Sequence, residues 1–462
     1  MLFKSYPISF LLLLFLFPMA VLAEISLPAI FSDDMVLQRE SKVLLYGWAN
    51  PNEKVLITTG WDQREYELKT GTDAKWSLEV QTPGAGGPYT LGFKGGANAI
   101  VLENVMIGEV WLCSGQSNME WSARNGIDHA TEEIEQANYP QIRLFTVAKR
   151  SAPYPQEDVH GQWAVCSPDT MANFSAVAYF FARKVQAETG MAIGLIDAAW
   201  GATSAEVWTP EAVFLAHPKL AAQQKRIKPN PWVTTERSRL YNAMIAPLRP
   251  FAIAGVLWYQ GESNTANGET YAELFTQMIR AWRKEWGHDF PFYYAQIAPY
   301  KYNRPEEGAV VRDQQRRVLA AVPNTGMVVT SDIGNVEDIH PQNKQDVGLR
   351  LARLALKRHY GMEVGEVNGP LYKGLENTGK GLTVHFDHAE GLHFKNGGEA
   401  AFEVAGEDGV FHPAKARIKD DAVLLRSKKV PRPVHVRFAW ANVVLAQLFN
   451  AAGLPASTFT SQ

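Results

Sequence analysis

The alternation of hydrophobic and polar positions changes twice along the chain. Between residues 24 and 104, short alternating or apolar runs are separated by turn formers, which is typical of an all-β module with a sandwich-like build. Its runs lie at residues 43–48, 55–58, 76–80 and 89–93. Similar runs return after residue 361, at 382–386, 422–425 and 434–440. We therefore predict a second β-rich region over residues 362–462, and the pattern leaves open whether both β regions form one domain.

Between residues 105 and 361, short apolar strands alternate with longer amphipathic stretches. Strands are predicted near residues 107–112, 193–198, 253–258, 292–297 and 327–330. Helices are predicted near residues 175–188, 270–286, 310–321 and 342–359. This alternation predicts an α/β fold, a parallel sheet covered by helices on both faces in three layers. Ligands of such sheets bind beyond the carboxyl ends of the strands.

Composition narrows the class of protein. The 462 residues are 46% hydrophobic and 20% charged, with a formal net charge of −3, as in a globular protein of two or more domains. No basic excess points to nucleic acid. The two cysteines, Cys113 and Cys166, could pair in an oxidising compartment, but a buried free thiol is favoured for Cys113. Neither CxxC nor HExxH spacing occurs, so we expect no metal and no cofactor.

Residues 1–23 have the pattern of a secretory signal peptide. Lys4 precedes an apolar run that Pro18 interrupts, and small residues lead to a plausible cleavage after Ala23. The run is shorter than the ~20 apolar residues of a membrane span. We therefore expect a periplasmic or secreted protein without integral membrane association after cleavage.

One segment, residues 109–121, carries the strongest chemical signal. An apolar strand ends there at a glycine turn, which delivers Ser117 to the start of a helix. A hydroxyl in this position lies near free backbone N–H groups that can stabilise a developing negative charge, which suits attack on an ester carbonyl. Alternatively, Ser117 is only a helix N-cap.

A serine nucleophile needs a base and a group that orients the base. Among the 11 histidines, His340 is the best candidate, because it follows two carboxylates, Glu337 and Asp338, and precedes Pro341. The proline restrains His340 to an extended conformation outside a helix. Two further segments, 200–208 and 258–264, follow apolar runs and open with the small or amide residues that can present donors to an oxyanion.

Together these blocks closely resemble the SGNH (GDSL-like) hydrolase superfamily and, within it, the sialate O-acetylesterase family of bacterial carbohydrate esterases. The resemblance rests on GQSNMEW at 115–121, GATSAEVW at 201–208, WYQGESN at 258–264 and DIHPQNKQDVG at 338–348. Residues 450–457 also resemble the closing signature of that family. The resemblance implies a flavodoxin-like SGNH domain over residues 105–361, flanked by the two β regions.

The same resemblance implies roles for individual residues. Ser117 would be the nucleophile and His340 the base, while the N–H groups of Ser117 and Gly201 and one amide side chain would form the oxyanion hole. For the amide, Gln260 is favoured over Asn264. For the acid that orients His340, Asp338 is favoured, and Glu337 and Glu262 are the alternatives.

The expected substrate is an O-acetylated glycan or sialic acid, with acetylated xylan or another polysaccharide as the alternative. Arg124 could pair with a sialate carboxylate, and four tryptophans could stack on sugars: Trp121, Trp200, Trp208 and Trp258. A non-catalytic carbohydrate-binding protein with a vestigial site is a rival of another class. A serine peptidase or lipase is disfavoured because no GxSxG elbow surrounds Ser117. The sequence leaves the oligomeric state undetermined.

Overall fold

The computed structural model describes residues 24–379, 381–395 and 397–462. The predicted signal peptide, residues 1–23, lies outside this part of the chain. Within the described residues, no helix combines the length and the apolar character that crossing a bilayer requires.

Seven strands are described between residues 24 and 115, and the last of them leads into the centre of the molecule. They are β1 (Val36–Gln38), β2 (Lys42–Trp48), β3 (Lys54–Thr59), β4 (Arg64–Lys69), β5 (Lys75–Gln81), β6 (Gly86–Lys94) and β7 (Ala99–Gly115). Strands β2 and β5 form an antiparallel pair, while β3 joins β4 and β6, and β6 joins β7. All four runs that the pattern predicted here are strands.

The central sheet continues from β7 with six further strands. They are β8 (Tyr139–Thr146), β9 (Trp163–Cys166), β10 (Ile193–Ala199), β11 (Gly255–Tyr259), β12 (Phe292–Ala295) and β13 (Thr325–Val328). Their order is β13-β12-β11-β7-β10-β8-β9, and all neighbours are parallel except β8 and β9.

Helices cover both faces of this sheet. Nine α-helices are described: α1 (Ser117–Glu120), α2 (Ala130–Glu135), α3 (Pro168–Met171), α4 (Ala176–Thr189), α5 (Glu211–Ala216), α6 (Pro218–Gln224), α7 (Tyr271–Trp286), α8 (Glu307–Ala321) and α9 (Lys344–Arg358). Helices α4 and α9 bury their apolar sides in one core, and α7 with part of α8 in the other. The predicted α/β class with a mostly parallel sheet and flanking β segments is thereby confirmed.

Shorter turns complete the helical content. Those of 3₁₀ type span Ala123–Asn125, Ala205–Trp208, Ala246–Leu248, Glu262–Thr270 and Gly398–Ala401, and one π-helical turn spans Tyr241–Ile245.

Strand β7 belongs to both the first β module and the central sheet. Its first half pairs with β6, and its second half pairs with β10 on one side and β11 on the other. Because the second half has neighbours on both sides and helices on both faces, every residue from Val105 to Gly115 except Met106, which is 8% exposed, is essentially buried. The strand runs without interruption through residues 104 and 105, where the sequence pattern changes.

Ten short strands are described in the C-terminal region. They are β14 (Leu371–Asn377), β15 (Leu382–Asp387), β16 (His393–Phe394), β17 (Phe402–Ala405), β18 (His412–Pro413), β19 (Lys415–Lys419), β20 (Ala422–Arg426), β21 (His435–Phe438), β22 (Leu448–Phe449) and β23 (Phe459–Thr460). Two four-stranded sheets, β14-β15-β20-β19 and β18-β17-β21-β23, enclose a separate apolar cluster. Among the described strands, none from the first module shares a sheet with them.

Buried Arg312 on α8 fastens this region to the central domain. Its Nε donates to Thr458 Oγ1 at 2.9 Å and its Nη2 to the Ala441 carbonyl at 2.5 Å. Gln296 adds a hydrogen bond of 2.7 Å to Ser457 Oγ. Ser457, the last residue of the 450–457 signature, and the adjacent Thr458 therefore form hydrogen bonds that hold the C-terminal region against the central domain.

Both cysteines are buried and unpaired. Cys113 lies on β7 and Cys166 at the end of β9. Burial raises the pKa of the Cys113 thiol, so it behaves as a small apolar side chain, as the sequence favoured.

A buried carboxylate joins the first module to the central domain at the end of the sheet opposite to Ser117. Glu109 on β7 accepts from Arg39 Nε at 2.5 Å, from His359 Nε2 at 3.1 Å and from Tyr360 OH at 3.2 Å. Burial alone would raise the pKa of Glu109, but the bonds and charges of His359 and Arg39 outweigh burial, and the pKa lies below its usual value. The ionised form is therefore the one that the fold stabilises.

Replacement of Glu109 by glutamine should lower the free energy of unfolding by about 3 kcal/mol near neutral pH, because it leaves His359 without its anionic partner and Arg39 with only the exposed Glu40. Since the folded-state pKa is lowered, the contribution of Glu109 is present above its unfolded pKa of about 4.3 and is lost as the pH falls through the folded pKa. Urea unfolding of wild type and Glu109→Gln at neutral pH and near pH 4 measures this difference.

Glu79→Gln is the matched control, because its partner Lys42 is a surface residue and the pair is exposed. It should change little at either pH. A Glu109→Gln protein as stable as wild type at neutral pH would contradict the prediction.

Candidate active site

The turn after β7 places Ser117 at the edge of the sheet. Gly115 has φ of +136°, and a Cβ atom there would lie 2.2 Å from the Tyr259 carbonyl oxygen of the neighbouring strand, so only glycine fits. Gln116 is extended, and Ser117 is the first residue of α1. Among the described residues no acceptor engages the Ser117 N–H, which stays available to a ligand.

His340 reaches this serine from the loop between β13 and α9. Its Nε2 lies 2.9 Å from Ser117 Oγ, although 223 positions separate the two residues. The imidazole stacks on Trp121, with ring centroids 4.1 Å apart and an angle of 14° between the planes. The fold thus brings the predicted nucleophile and base into hydrogen-bond contact, with the base held against an aromatic face.

The three candidate acids differ in their relation to His340. Asp338 Oδ1 lies 3.8 Å from His340 Nδ1, too far for a hydrogen bond, and accepts instead from the His340 backbone N–H at 2.9 Å. Glu337 is exposed and pairs with Lys301. Glu262 is buried and accepts from Asn118 Nδ2 at 2.7 Å. Asp338 thus holds the loop backbone, and neither alternative contacts the imidazole.

A buried lysine lies behind the side chains of Ser117 and His340. Lys344, at the start of α9, is 1% exposed and donates from Nζ to Asn118 Oδ1 at 2.8 Å and to the Pro341 carbonyl at 2.6 Å. Asn118 in turn donates to the Ile339 carbonyl at 2.9 Å and to Glu262. The segments that carry Ser117, Glu262 and His340 are therefore joined by one set of hydrogen bonds.

The predicted oxyanion donors are arranged differently from expectation. The Gly201 N–H donates to Glu120 Oε2 at 2.6 Å, and Glu120 also pairs with Lys149. A Cβ at position 201 would lie 3.2 Å from the Ser117 Cβ, so glycine allows this N–H to approach the nucleophile. The donor is therefore correctly placed for an anion, and a carboxylate oxygen occupies it in this structure.

The amides of Gln260 and Asn264 do not face the nucleophile. Gln260 is fully buried, and its Nε2 donates to the Thr203 carbonyl at 3.2 Å and to Asn264 Oδ1 at 2.7 Å. Asn264 Nδ2 is used by Glu206 and Asn267. Both amides support the loops beneath the site, and the structure gives neither a free donor for an oxyanion.

Gln116 is an amide that the sequence reasoning missed. Its Oε1 accepts from the backbone N–H groups of Gly261 and Ser263, both at 3.3 Å, and its Nε2 has no acceptor among the described residues. The side chain lines the cavity at Ser117. The sequence signal that could have identified it is its position in the GQSN block, directly before Ser117.

Ser117 and His340 open into a cavity of about 530 Å³. Trp121, Trp200 and Trp232 line it, and Trp232 is 84% exposed on the loop after α6. Trp208 and Trp258, which were also candidates for stacking on sugar rings, are completely buried core residues. Arg124 is exposed and lies outside the lining of this cavity.

Burial and charge favour the neutral form of His340, the candidate base. Burial lowers the pKa of His340, the positive charge of Lys344 lowers it further, and Asp338 and Glu120 oppose this with smaller effects. A histidine accepts a proton only when it is neutral, so the surroundings extend its use as a base toward lower pH.

The fold is a mostly parallel α/β sheet, and beyond the carboxyl ends of its strands a serine and a histidine lie in hydrogen-bond contact, an arrangement typical of hydrolases. Residues 107–357 match the family model described as carbohydrate esterase, sialic acid-specific acetylesterase, and the chain belongs to that family. It is therefore an esterase.

Individual relatives agree with this assignment. Sialate O-acetylesterase of Mus musculus is 28% identical over 440 residues, which cover 80% of each chain, and that of Homo sapiens is 30% identical over 75% of this chain and 73% of the human one. The crystal structure of a carbohydrate acetylesterase from Xanthomonas citri superposes with a TM-score of 0.86 at 35% identity. It covers 95% of this chain and all of that one.

Asp338→Asn should lower kcat/KM by less than about tenfold, whereas loss of a triad aspartate that is bonded to the imidazole costs about 10⁴. Asparagine still accepts from the His340 backbone N–H, and the bond from Nδ1 to Oδ1 is not formed in this structure. Because Asp338 raises the pKa of His340, its neutralisation should also move the acid limb of the pH profile downward.

Measurement of kcat/KM for a chromogenic acetate ester between about pH 4 and pH 8 checks both outcomes, with Glu337→Gln as the exposed control on the same loop. A loss of about 10³ or more would show that Asp338 closes onto His340 during the reaction.

Proposed function

We propose that the protein removes O-acetyl groups from sugars through an acetyl-enzyme on Ser117. The observation that carries this proposal is the 2.9 Å contact between His340 Nε2 and Ser117 Oγ. His340 takes the hydroxyl proton while Oγ bonds to the acetyl carbon. Collapse of the tetrahedral intermediate expels the sugar oxygen, which receives the proton from His340.

The second half of the reaction reverses these roles. His340 takes a proton from water, the hydroxide oxygen bonds to the acetyl carbon, and Ser117 Oγ leaves with the returned proton. Acetate is released and the free enzyme is restored. Each step needs only His340 as acid and base, so the pair suffices for the proton transfers.

The negative oxygen of each intermediate needs donors near Ser117. The N–H of Ser117 is unoccupied, and the N–H of Gly201 binds the Glu120 carboxylate, which an acetyl oxygen would replace. We assign the role of amide donor to the oxyanion to Gln116 instead of Gln260, because the Nε2 of Gln116 has no acceptor among the described residues and the residue lines the cavity. Loss of one such donor costs about 10²–10³ in rate.

The relatives suggest the sugar. The proteins from mouse and human are named sialate O-acetylesterases, and the Xanthomonas citri protein is named a carbohydrate acetylesterase. For this chain, O-acetylated sialic acid or another acidic glycan is our first proposal. Acetylated xylan, a neutral polymer in its backbone, is the second.

A basic cavity beside the catalytic one favours the acidic substrate. It measures about 610 Å³, shares Ala202 and Ser263 with the catalytic cavity, and is lined by three cations: Arg226, Lys228 and Arg304. Arg226 pairs with Glu269 and Arg304 with Glu307, whereas Lys228 has no acidic partner among the described residues. The buried hydroxyl of Ser204 on the same wall also lacks a partner. An acetylated sugar with a carboxylate would neutralise Lys228.

The proposed division of the chain is a signal peptide over 1–23, a β module over 24–104, the hydrolase domain over 105–361 and the C-terminal region over 362–462. Cleavage after Ala23 would place the mature enzyme in the periplasm or outside the cell. An N-terminal sequence of the mature protein that begins elsewhere than Glu24 would exclude this cleavage site.

Ser117→Ala should reduce hydrolysis of a chromogenic acetate ester by at least about 10⁴-fold, because no other group supplies the attacking oxygen. Covalent labelling by a fluorophosphonate, followed by peptide mass analysis, should modify Ser117 and should fail in the variant.

Ser263→Ala is the matched control, a second serine that lines the same cavity, and it should retain activity and labelling. Wild-type turnover by Ser117→Ala would refute the acetyl-enzyme. Glycan binding without hydrolysis of any ester by the wild type would instead favour the non-catalytic carbohydrate-binding protein.

Lys228→Gln should raise KM for O-acetylated sialic acid about fivefold, because the lost interaction is an exposed ion pair worth about 1 kcal/mol. Hydrolysis of acetylated xylo-oligosaccharides and of the chromogenic acetate should stay unchanged, since these substrates carry no carboxylate. Lys225→Gln is the control, since Lys225 is exposed on the same loop but does not line the cavity. An equal change for neutral and acidic substrates, or no change for either, would remove the argument for an acidic sugar.

A further inference from the structure

We propose that Lys344 is a positioning residue of the esterase, which holds the nucleophile helix and the base loop together and sets a positive charge behind the catalytic imidazole. This inference rests on the proposed Ser117–His340 mechanism and adds a residue to it.

The mechanical part follows from the hydrogen bonds of one buried amide. Asn118, next to Ser117, receives a bond from Lys344 Nζ and donates to the carbonyl of Ile339, next to His340. Lys344 also binds the carbonyl of Pro341, on the other side of His340. The backbone on both sides of the base is therefore tied to the residue that follows the nucleophile.

The electrostatic part follows from the burial of the ammonium group. Lys344 is 1% exposed, and the nearby negative charges are Glu262, Asp338 and Asp128. Burial outweighs these charges and lowers the pKa of Lys344 to about 7. Below that pH the lysine is charged, which includes the range in which an ordinary histidine titrates, about pH 6.5.

Glu262 is the counter-charge of Lys344, but the two are joined only through Asn118. Its Oε1 binds Asn118, and its Oε2 has no hydrogen-bond partner in the described part of the chain. Burial raises the pKa of Glu262, so its negative charge is weakly held. The positive charge of Lys344 is thus incompletely neutralised and acts on the groups beside it.

His340 is one of those groups. The Lys344 Nζ lies 5.8 Å from the centroid of the Trp121 ring, and the same indole stacks on the imidazole. The other charges that act on His340 are Asp338 on its own loop and Glu120 on α1, and both favour the imidazolium. Lys344 opposes them and keeps the base ready to accept the serine proton.

The test compares the pH dependence of kcat/KM and the plateau kcat in wild type and in Lys344→Met. Loss of the charge should move the acid limb upward by about half a pH unit or more. Loss of the two hydrogen bonds should lower plateau kcat by about 10- to 100-fold, because the attack geometry loosens, with little change in KM.

A second variant guards against simple unfolding, since Lys344→Met leaves Glu262 buried without its counter-charge. The double variant Lys344→Met with Glu262→Gln removes both charges and should show the same upward shift of the acid limb. Lys301→Gln, which alters the exposed partner of Glu337 on the same loop, is the control and should leave the limb unchanged.

A folded double variant whose acid limb and kcat equal those of wild type would overturn the proposal and leave Lys344 with a purely structural role. An upward shift with unchanged KM supports it. Failure of the underlying mechanism is distinguishable, because Ser117→Ala would then retain activity whatever the Lys344 variants do.

Discussion

The pairing of β7 on both of its sides is the constraint on which the active site depends. Seven residues of this strand pair with β10 and five pair with β11, and both sets end at Gly115, which precedes Gln116 and Ser117. Because neither neighbour can shift without breaking a buried ladder, the turn after Gly115 has a fixed height above the sheet. The close approach to Tyr259 then leaves one path for the chain. That path ends at Ser117, whose N–H has no acceptor among the described residues and whose hydroxyl contacts His340.

The part of β7 that enters the central sheet is fixed at its first residue by charge. Glu109 accepts hydrogen bonds from Arg39 of the first β module and from His359 beyond α9, and it is the first residue of β7 that pairs with β10. Helix α9 takes part at both ends, since Lys344 begins it near Ser117 and His359 follows its last residue. One strand and one helix thus link a structural ion pair to the catalytic centre.

Local patterns were sufficient to predict most of the central domain and to single out Ser117 and His340, which the fold brings into contact. Ser117 follows a strand and begins a helix, and His340 follows two acidic residues and precedes a proline. The few residues around each are therefore enough to single it out in the sequence. Strand β8 was missed because Arg143 lies in its middle. That arginine is 4% exposed, and its guanidinium is satisfied by Asp34 and Asn104, which come from the first module.

The same reason explains why the polar side chains of the site are arranged differently from the prediction. A polar side chain near a strand end can turn toward the ligand or toward the loops below, and the choice depends on partners far along the chain. Gln260 turns to Thr203 and Asn264, whereas Gln116 faces the cavity. Lys344 gives no sign in the sequence that it is buried, because its acceptors are an asparagine 226 positions away and a carbonyl of the preceding loop.

The Glu120 carboxylate on the Gly201 N–H has a consequence for how an ester would bind. A neutral acetyl carbonyl replaces a charged acceptor there and makes a weaker bond in the ground state. In the proposed reaction the oxygen becomes negative only as Ser117 adds to the carbon, and it then regains a charge-assisted bond from the same N–H. Displacement of Glu120 would therefore weaken substrate binding more than transition-state binding, which is the difference that raises kcat. Lys149 pairs with Glu120 and lies 6.0 Å from the centroid of the Trp200 ring, so a cation is at hand for the displaced carboxylate.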